Sequence, residues 1–115
     1  MIKIIIDGSA DMPEGWPEKY QIDILPMPIQ IGNRTYYQGE DLDAEKFYEL
    51  VADENNIPQS AAPSPEHIVS FVERVCAIGD TVLAINVSGK MSSTVSMMKT
   101  AAKELKDRLT MLVFD

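Results

Sequence analysis

Short apolar runs alternate along the chain with segments whose apolar residues recur at helical spacing. Three β-prone runs, Ile2–Ile6, Val82–Val87 and Thr110–Phe114, predict strands buried within a sheet. Two prolines interrupt the extended segment Ile22–Pro28, which favours a position at a sheet edge. Gly32-Asn33 lies between two further β-prone stretches and predicts a tight β-hairpin.

Cap residues and apolar stripes predict the helices. Asp11 precedes a short helix, Asp43 precedes a second and Ser64 a third, each as an N-cap, and Gly79 is expected to close the third. A fourth and longer helix follows the run Val82–Val87. Its apolar stripe consists of Val95, Met98, Ala102, Leu105 and Leu109.

This order of elements predicts one α/β domain over residues 1–115. We expect a three-layer α/β/α arrangement with a mainly parallel sheet, right-handed crossovers and a small edge hairpin. Ligands of open α/β sheets bind outside the carboxyl ends of the strands. Three loops leave such ends or lie near them: residues 7–11, the proline-bounded segment 57–64, and residues 88–94.

The segment Ser88–Thr94, here called the hydroxyl loop, connects a predicted strand to the start of a predicted helix. The first N–H groups of a helix have no partner within it, and the helix dipole favours negative charge there. The loop therefore predicts an anion site, to which Asp7 and Ser9 belong as neighbours if the strands are parallel.

Composition and charge narrow the classes of function. The 115 residues carry 18 acidic and 10 basic side chains, a net charge of −8, which argues against nucleic-acid binding. No apolar run approaches the ~20 residues of a membrane span, and the amino terminus does not resemble a signal peptide. The single Cys76 cannot form an internal disulfide, which favours the cytoplasm.

Catalysis and metal binding find little support in the residue types present. Ser92 has no evident base, because His67, the only histidine, lies in the first turn of another predicted helix. A metal site needs more His, Cys or clustered carboxylates than this chain offers. We therefore predict no catalytic residue, no metal and no cofactor.

Four segments, taken in order, resemble motifs of the DegV family. Asp7–Pro13 resembles its Asp-Ser-Thr-Ala-Asp-Leu-Pro opening, and Tyr36–Asp41 followed by Phe47-Tyr48 resembles its Tyr-x-x-Gly-x-Asp segment and Phe-Tyr pair. Pro58–Pro65 is similar to its Pro-x-Thr-Ser-Gln-Pro-Ser-Pro loop, and the hydroxyl loop to its Ser-Ser-x-Leu-Ser-Gly-Thr loop.

The resemblance implies a protein that binds a long-chain fatty acid and does not itself catalyse a reaction. It implies that the hydroxyls of Ser60 and Ser92 hold the fatty-acid carboxylate. It further implies a DegV amino-terminal-domain fold, a second domain missing from these residues, and a fatty acid kinase as the partner of some members. The supporting loop residues would be Asp7, Ser9, Ser88, Ser93 and Thr94.

A second reading of the same residues stays open. The anion site could serve an enzyme acting on a small phosphorylated or hydroxylated metabolite. Turnover of such a metabolite without a partner would favour that reading, whereas a co-purified fatty acid would favour lipid binding.

Overall fold

Strands and helices alternate along the chain, and the computed structural model describes all of residues 1–115. The strands are β1 (Ile2–Asp7), β2 (Ile22–Leu25), β3 (Pro28–Ile31), β4 (Arg34–Tyr37), β5 (Gln59–Ser60), β6 (Thr81–Ile85) and β7 (Thr110–Phe114). The helices are α1 (Trp16–Tyr20), α2 (Ala44–Val51), α3 (Pro65–Val75) and α4 (Thr94–Leu105). A four-stranded parallel sheet and a three-stranded antiparallel sheet, each accompanied by helices, confirm the predicted α/β class.

The residues form two compact units. The first consists of Met1–Leu25 and Pro63–Asp115 and contains the parallel sheet, in the order β2-β1-β6-β7, with α1, α3 and α4. The second consists of Pro26–Ala62 and contains α2 and the antiparallel sheet, in the order β4-β3-β5. Within the predicted edge segment Ile22–Pro28, residues Ile22–Leu25 do form an edge strand of the parallel sheet, whereas Pro28 begins β3, the central strand of the antiparallel sheet.

Helices α3 and α4 cover one face of the parallel sheet. Ser64 caps α3 by accepting a hydrogen bond from the His67 N–H at 3.2 Å, and Pro65 occupies the first turn. The core of this unit is built from strand residues facing the two helices. Its buried members include Ile5, Leu25, Val82 and Ala84 from the sheet, Ile68, Phe71 and Val72 from α3, and Met98, Ala101 and Leu105 from α4.

The opposite face of the parallel sheet is also apolar. Ile6, Ile24, Ile85 and Phe114 stand in one row across the four strands, because they are register partners in the parallel pairing. Phe114 in this row is 55% exposed. Apolar residues on both faces are typical of parallel sheets, whose strands are built to be covered on each side.

The second unit contains the predicted hairpin and its helix. Strands β3 and β4 pair antiparallel across Gly32-Asn33, with Ile31 opposite Arg34. Asp43 caps α2 by accepting a hydrogen bond from the Lys46 N–H at 2.8 Å, as predicted. Buried Ile31, Tyr36 and Leu42 form a small core against which Ile29, Phe47 and Leu50 pack.

Several local predictions were wrong. Gly15, with φ of 83°, precedes α1 in the cap position that Asp11 was expected to fill. Helix α3 ends at Val75, before Gly79, whose positive φ lies in the turn that follows. In α4 the buried alanine is Ala101, whereas Ala102 was predicted to be buried. The hairpin was expected at the edge of the main sheet. Instead, β3 also pairs with β5, which consists of two residues of the proline-bounded loop, and β3, β4 and β5 form a separate sheet.

Replacement of Met98 by alanine tests the core of the first unit. Met98 is fully buried among α3, α4 and the sheet, so truncation leaves a cavity and should lower the free energy of unfolding by about 2–5 kcal/mol. Urea denaturation measures the change. The matched control is Met91→Ala, expected to change stability by less than about 0.5 kcal/mol because Met91 is 80% exposed. Equal losses in the two variants would contradict this core.

Asp80 makes stability depend on pH. Its hydrogen bond from the Ala77 N–H, at 2.8 Å, and its ion pair with the amino terminus, at 3.3 Å, hold the pKa of its carboxyl below the ordinary value. Because the folded-state pKa is the lower one, the stabilisation is complete above about pH 4 and is lost as the pH falls through the folded-state pKa.

We therefore expect Asp80→Asn to destabilise the protein near neutral pH and to lose this effect in acid. Urea unfolding at about pH 6 and about pH 3 measures the difference between the variant and the unsubstituted chain. Asp107→Asn, at an exposed position, serves as the control. A difference that stays constant over this range would show that Asp80 is not ionised more readily in the folded state.

Candidate functional site

The parallel pairing of β1 and β6 brings two segments of the candidate site to the same end of the sheet. The register runs from Ile2 opposite Thr81 to Ile6 opposite Ile85. Asp7 ends β1, and Val87 follows β6 by two residues. The Val87 N–H donates to Asp7 Oδ2 at 2.7 Å, so the two segments contact each other directly.

Asp7 is a buried carboxylate, 2% exposed, with both oxygens hydrogen-bonded. Its Oδ1 accepts the backbone N–H of Ser9 at 2.9 Å and also the Ser9 hydroxyl. A hydroxyl has a single proton to donate, and that of Ser9 is used here. The pair Asp7–Ser9 therefore shapes the loop after β1, and the carboxylate holds the chain after β6.

The hydroxyl loop is folded around Ser88. The Ser88 carbonyl accepts hydrogen bonds from the Met91 N–H at 2.9 Å and the Ser92 N–H at 3.1 Å. The Ser88 hydroxyl accepts a further bond from the Lys90 N–H at 3.2 Å. Three backbone groups of the loop thus converge on one residue, which fixes the position of Ser92 relative to the end of β6.

Ser92 and Thr94 share a hydrogen bond at the start of α4. The Ser92 Oγ lies 2.9 Å from the Thr94 Oγ1 and accepts the Thr94 N–H at 3.2 Å. Thr94 is fully buried, whereas Ser92 is partly exposed. If Thr94 donates within the hydroxyl pair, the Ser92 proton stays available for a carboxylate, since each hydroxyl donates once.

Helix α4 begins directly behind these hydroxyls. Ser93 is its N-cap residue, is exposed and makes no side-chain cap bond. The N–H groups of Val95 and Ser96 precede the Met97 N–H, which donates to the Ser93 carbonyl at 3.0 Å. Such leading N–H groups, together with the dipole of a 12-residue helix, favour an anion at this position.

An open depression of ≈ 770 Å³ lies beside the hydroxyl loop. Ser92, Ser93 and Ser96 contribute hydroxyls to its lining, Lys90 and Lys99 contribute ammonium groups, and Asp115 contributes a carboxylate. Met91 and Val95 supply apolar surface. Hydroxyl and ammonium donors suit a carboxylate or phosphate headgroup.

Sequence reasoning did not assign Ser96, Lys99 and Asp115 to this depression. Ser96 and Lys99 are three residues apart on α4, so helical spacing from Ser93 could have found them. Asp115 could not be found this way, because its role depends on the end of β7 lying beside the loop. Its Oδ1 accepts the Gly89 N–H at 2.7 Å, and a Cβ on Gly89 would come within 3.1 Å of its Oδ2.

Ser60 lies in the second unit, on the short strand β5, opposite Ile29 of β3. Its side chain is exposed, and the next residue, Ala61, donates its N–H to the Pro28 carbonyl at 3.2 Å. The backbone at Ser60 is therefore ordered by strand pairing. Convergence of Ser60 and Ser92 on one carboxylate stays a prediction.

No group of three or more His, Cys, Asp or Glu side chains is arranged to hold a metal ion. None of the four helices has the length and apolar character required to cross a bilayer.

A hydroxyl-bearing loop at the carboxyl end of a parallel sheet is typical of α/β ligand-binding domains. The family model described as uncharacterised protein, DegV family, matches residues 1–115. The chain therefore belongs to the DegV family, which confirms the resemblance seen in its four motifs.

Relatives of known sequence are considerably longer than this chain. A DegV domain-containing protein of Listeria innocua is 30% identical over 115 residues, which span 99% of this chain and 40% of that protein. Protein DegV of Bacillus subtilis is 29% identical over 114 residues, with the same two shares. The chain spans about two fifths of the length of these relatives.

Solved structures share the fold. The structure of DegV from Bacillus subtilis, described as a fatty acid binding protein, matches 99% of this chain and 40% of its own, with 28% identity and a TM-score of 0.85. A Thermotoga maritima protein, described as revealing a fatty acid binding function, matches 97% of this chain and 42% of its own, with 26% identity and a TM-score of 0.74.

Proposed function

We propose that this chain binds a long-chain fatty acid and presents it without catalysing a reaction. The observation that carries the proposal is the fold match to the fatty acid binding DegV of Bacillus subtilis, which extends over 99% of the chain and so includes the hydroxyl loop. The donors around that loop support the same ligand class, since a carboxylate needs hydrogen-bond donors at its oxygens.

The proposed headgroup contacts are the hydroxyls of Ser60 and Ser92. Ser92 has the buried Thr94 hydroxyl behind it at 2.9 Å and the leading N–H groups of α4 beside it. Asp7, Ser9, Ser88, Ser93 and Thr94 support the loop around these contacts. A hydrogen bond to a carboxylate is worth about 1.5–3 kcal/mol, and a helix terminus adds about 0.3–1 kcal/mol.

The acyl tail supplies most of the affinity in this proposal. About fifteen methylenes at about 0.8 kcal/mol each would contribute on the order of 12 kcal/mol before the costs of ordering. The hydroxyls therefore decide the orientation of the lipid more than the strength of binding. Full burial of such a tail needs more apolar wall than a headgroup site provides.

We place these residues in a two-domain protein as its amino-terminal part, with a second domain completing the wall around the tail. The share of about 40% of each relative supports this arrangement. The 115 residues alone should then bind palmitate weakly or not at all. The fatty acid would pass to a separate fatty acid kinase subunit in the cytoplasm.

Cys76 has no part in the proposed headgroup site. Cys76 is a partly buried free thiol, and burial raises its pKa. Its thiol therefore stays protonated near neutral pH, and no second cysteine lies within residues 1–115.

Native mass spectrometry tests the ligand class directly. The protein is expressed in bacteria from its complete reading frame and, separately, as residues 1–115. We expect the former to carry a co-purified mass equal to that of a long-chain fatty acid, and the latter to carry little, because less of the tail is buried. Absence of any lipid mass, together with turnover of a phosphorylated metabolite, would contradict the proposal and favour an enzyme.

Replacement of each proposed contact tests the headgroup site. Ser60→Ala and Ser92→Ala should each weaken palmitate binding about 10- to 100-fold, since one hydrogen bond to a charged group is lost. Isothermal titration calorimetry with the protein from its complete reading frame measures the change in affinity. Ser92→Ala also removes the oxygen that accepts the Thr94 N–H, so folding is checked by circular dichroism.

Two controls make the result specific to the site. Ser92→Thr keeps the hydroxyl and should retain most of the affinity, whereas Ser70→Ala removes an exposed hydroxyl on α3 and should change nothing. Unchanged affinity in a folded Ser92→Ala variant would remove Ser92 from the site.

A further inference from the structure

We propose that Asp7 is a positioning residue for the hydroxyl loop: its buried carboxylate fixes the loop and thereby sets the affinity for the ligand headgroup, without contacting the ligand. This inference rests on the proposed function for its effect on affinity. The tether itself rests on geometry and can be tested without a ligand.

The hydrogen bonds of Asp7 argue against direct contact between its carboxylate and the ligand headgroup. Both carboxylate oxygens already accept bonds, from Ser9 and from the Val87 N–H, and the residue is 2% exposed. Both oxygens act as acceptors in these bonds, whereas an acidic headgroup needs donors. Asp7 can therefore act on an acidic headgroup only through the residues that it holds.

A short path connects Asp7 to the proposed contact. The Val87 N–H bond, at 2.7 Å, fixes the residue directly before Ser88. The Ser88 carbonyl in turn holds the Ser92 N–H at 3.1 Å, and the Ser92 Oγ holds the first N–H of α4. Each step is a hydrogen bond or a peptide bond, so displacement of Val87 is expected to displace the Ser92 hydroxyl.

The chain provides a matched control at the other end of the same sheet. Asp80 is also nearly buried, at 9% exposed, and also holds a turn, through the Ala77 N–H at 2.8 Å. It precedes β6, whereas Val87 follows β6. Asp80→Asn therefore measures the general cost of losing a buried carboxylate tether, with no expected effect on the hydroxyl loop.

The first experiment follows amide hydrogen exchange in Asp7→Asn, Asp80→Asn and the unsubstituted protein from the complete reading frame. Asparagine offers one acceptor oxygen, which can serve Val87 or Ser9 but not both, so Asp7→Ala, which offers none, is measured beside it. We expect the amides of Val87 and Ser92 to exchange faster in Asp7→Ala, and not in Asp80→Asn. Unchanged exchange at these amides in both Asp7 variants, or an equal increase in Asp80→Asn, would overturn the tether.

The second experiment compares binding of palmitate with that of hexadecan-1-ol, which has the same tail and a neutral headgroup. Asp7→Asn should weaken palmitate binding about tenfold, the equivalent of about one lost hydrogen bond, and leave the alcohol nearly unchanged. Asp80→Asn should affect neither ligand. Equal losses for acid and alcohol in Asp7→Asn would show a general structural role and overturn positioning.

A double-mutant cycle with Ser92→Ala tests whether Asp7 acts through Ser92. If it does, the double variant should bind palmitate within about twofold of Ser92→Ala alone, because the contact is already lost. Fully additive losses would contradict this path. If Asp7→Asn does not fold, Asp7→Glu, which displaces the carboxylate by one methylene, is measured in its place with the same expected outcomes.

Failure of the proposed function is distinguishable from failure of the tether. If the unsubstituted protein binds no palmitate, the proposed function and the effect of Asp7 on affinity both fail. The exchange measurement then still decides whether Asp7 holds the hydroxyl loop.

Discussion

The parallel pairing of β1 with β6 is the constraint on which the rest of the first unit depends. It joins strands that are about eighty residues apart in the chain and aligns them from Ile2 opposite Thr81 to Ile6 opposite Ile85. Parallel strands release their loops at the same edge, so the segments after β1 and β6 meet. The hydrogen bond from the Val87 N–H to Asp7 then holds these two segments in a fixed position relative to each other.

The hydroxyl loop has a structural role that is present with or without a ligand. Ser88 closes the turn, and the Ser92 Oγ accepts the first N–H of α4. These bonds explain the hydroxyls of Ser88 and Ser92 without reference to binding. The exposed side of the loop has no such structural explanation. There, serine hydroxyls, two lysines and the start of α4 line the depression. These exposed groups are the ones proposed to recognise the headgroup.

Much of the fold follows from local sequence features, and the exceptions have physical causes. The caps at Asp43 and Ser64 were predictable because a short polar side chain there can satisfy a leading N–H. Strand β5 was missed because its two residues, Gln59 and Ser60, carry no periodic signal and depend on pairing with β3. Asp11 has the residue type of a cap, but Gly15 adopts the turn that starts α1.

The candidate site was predictable in part for the same reason. A hydroxyl-rich segment between a strand and a helix identifies the loop around Ser92 from local sequence alone. Asp115 contacts Gly89, and Val87 contacts Asp7. Each contact joins segments that are distant in the chain, so no local pattern predicts it. Ser60 was proposed from a family motif and not from a local pattern, because it lies on a strand without a periodic signal; its part in the site stays a prediction.

A crystal structure of the protein from its complete reading frame with palmitate bound would locate the headgroup directly. We expect carboxylate oxygens within about 2.5–3.2 Å of both the Ser60 and the Ser92 hydroxyls, with the tail leading away through apolar surroundings. A carboxylate held elsewhere, or two serine hydroxyls too far apart to share one headgroup, would contradict this expectation.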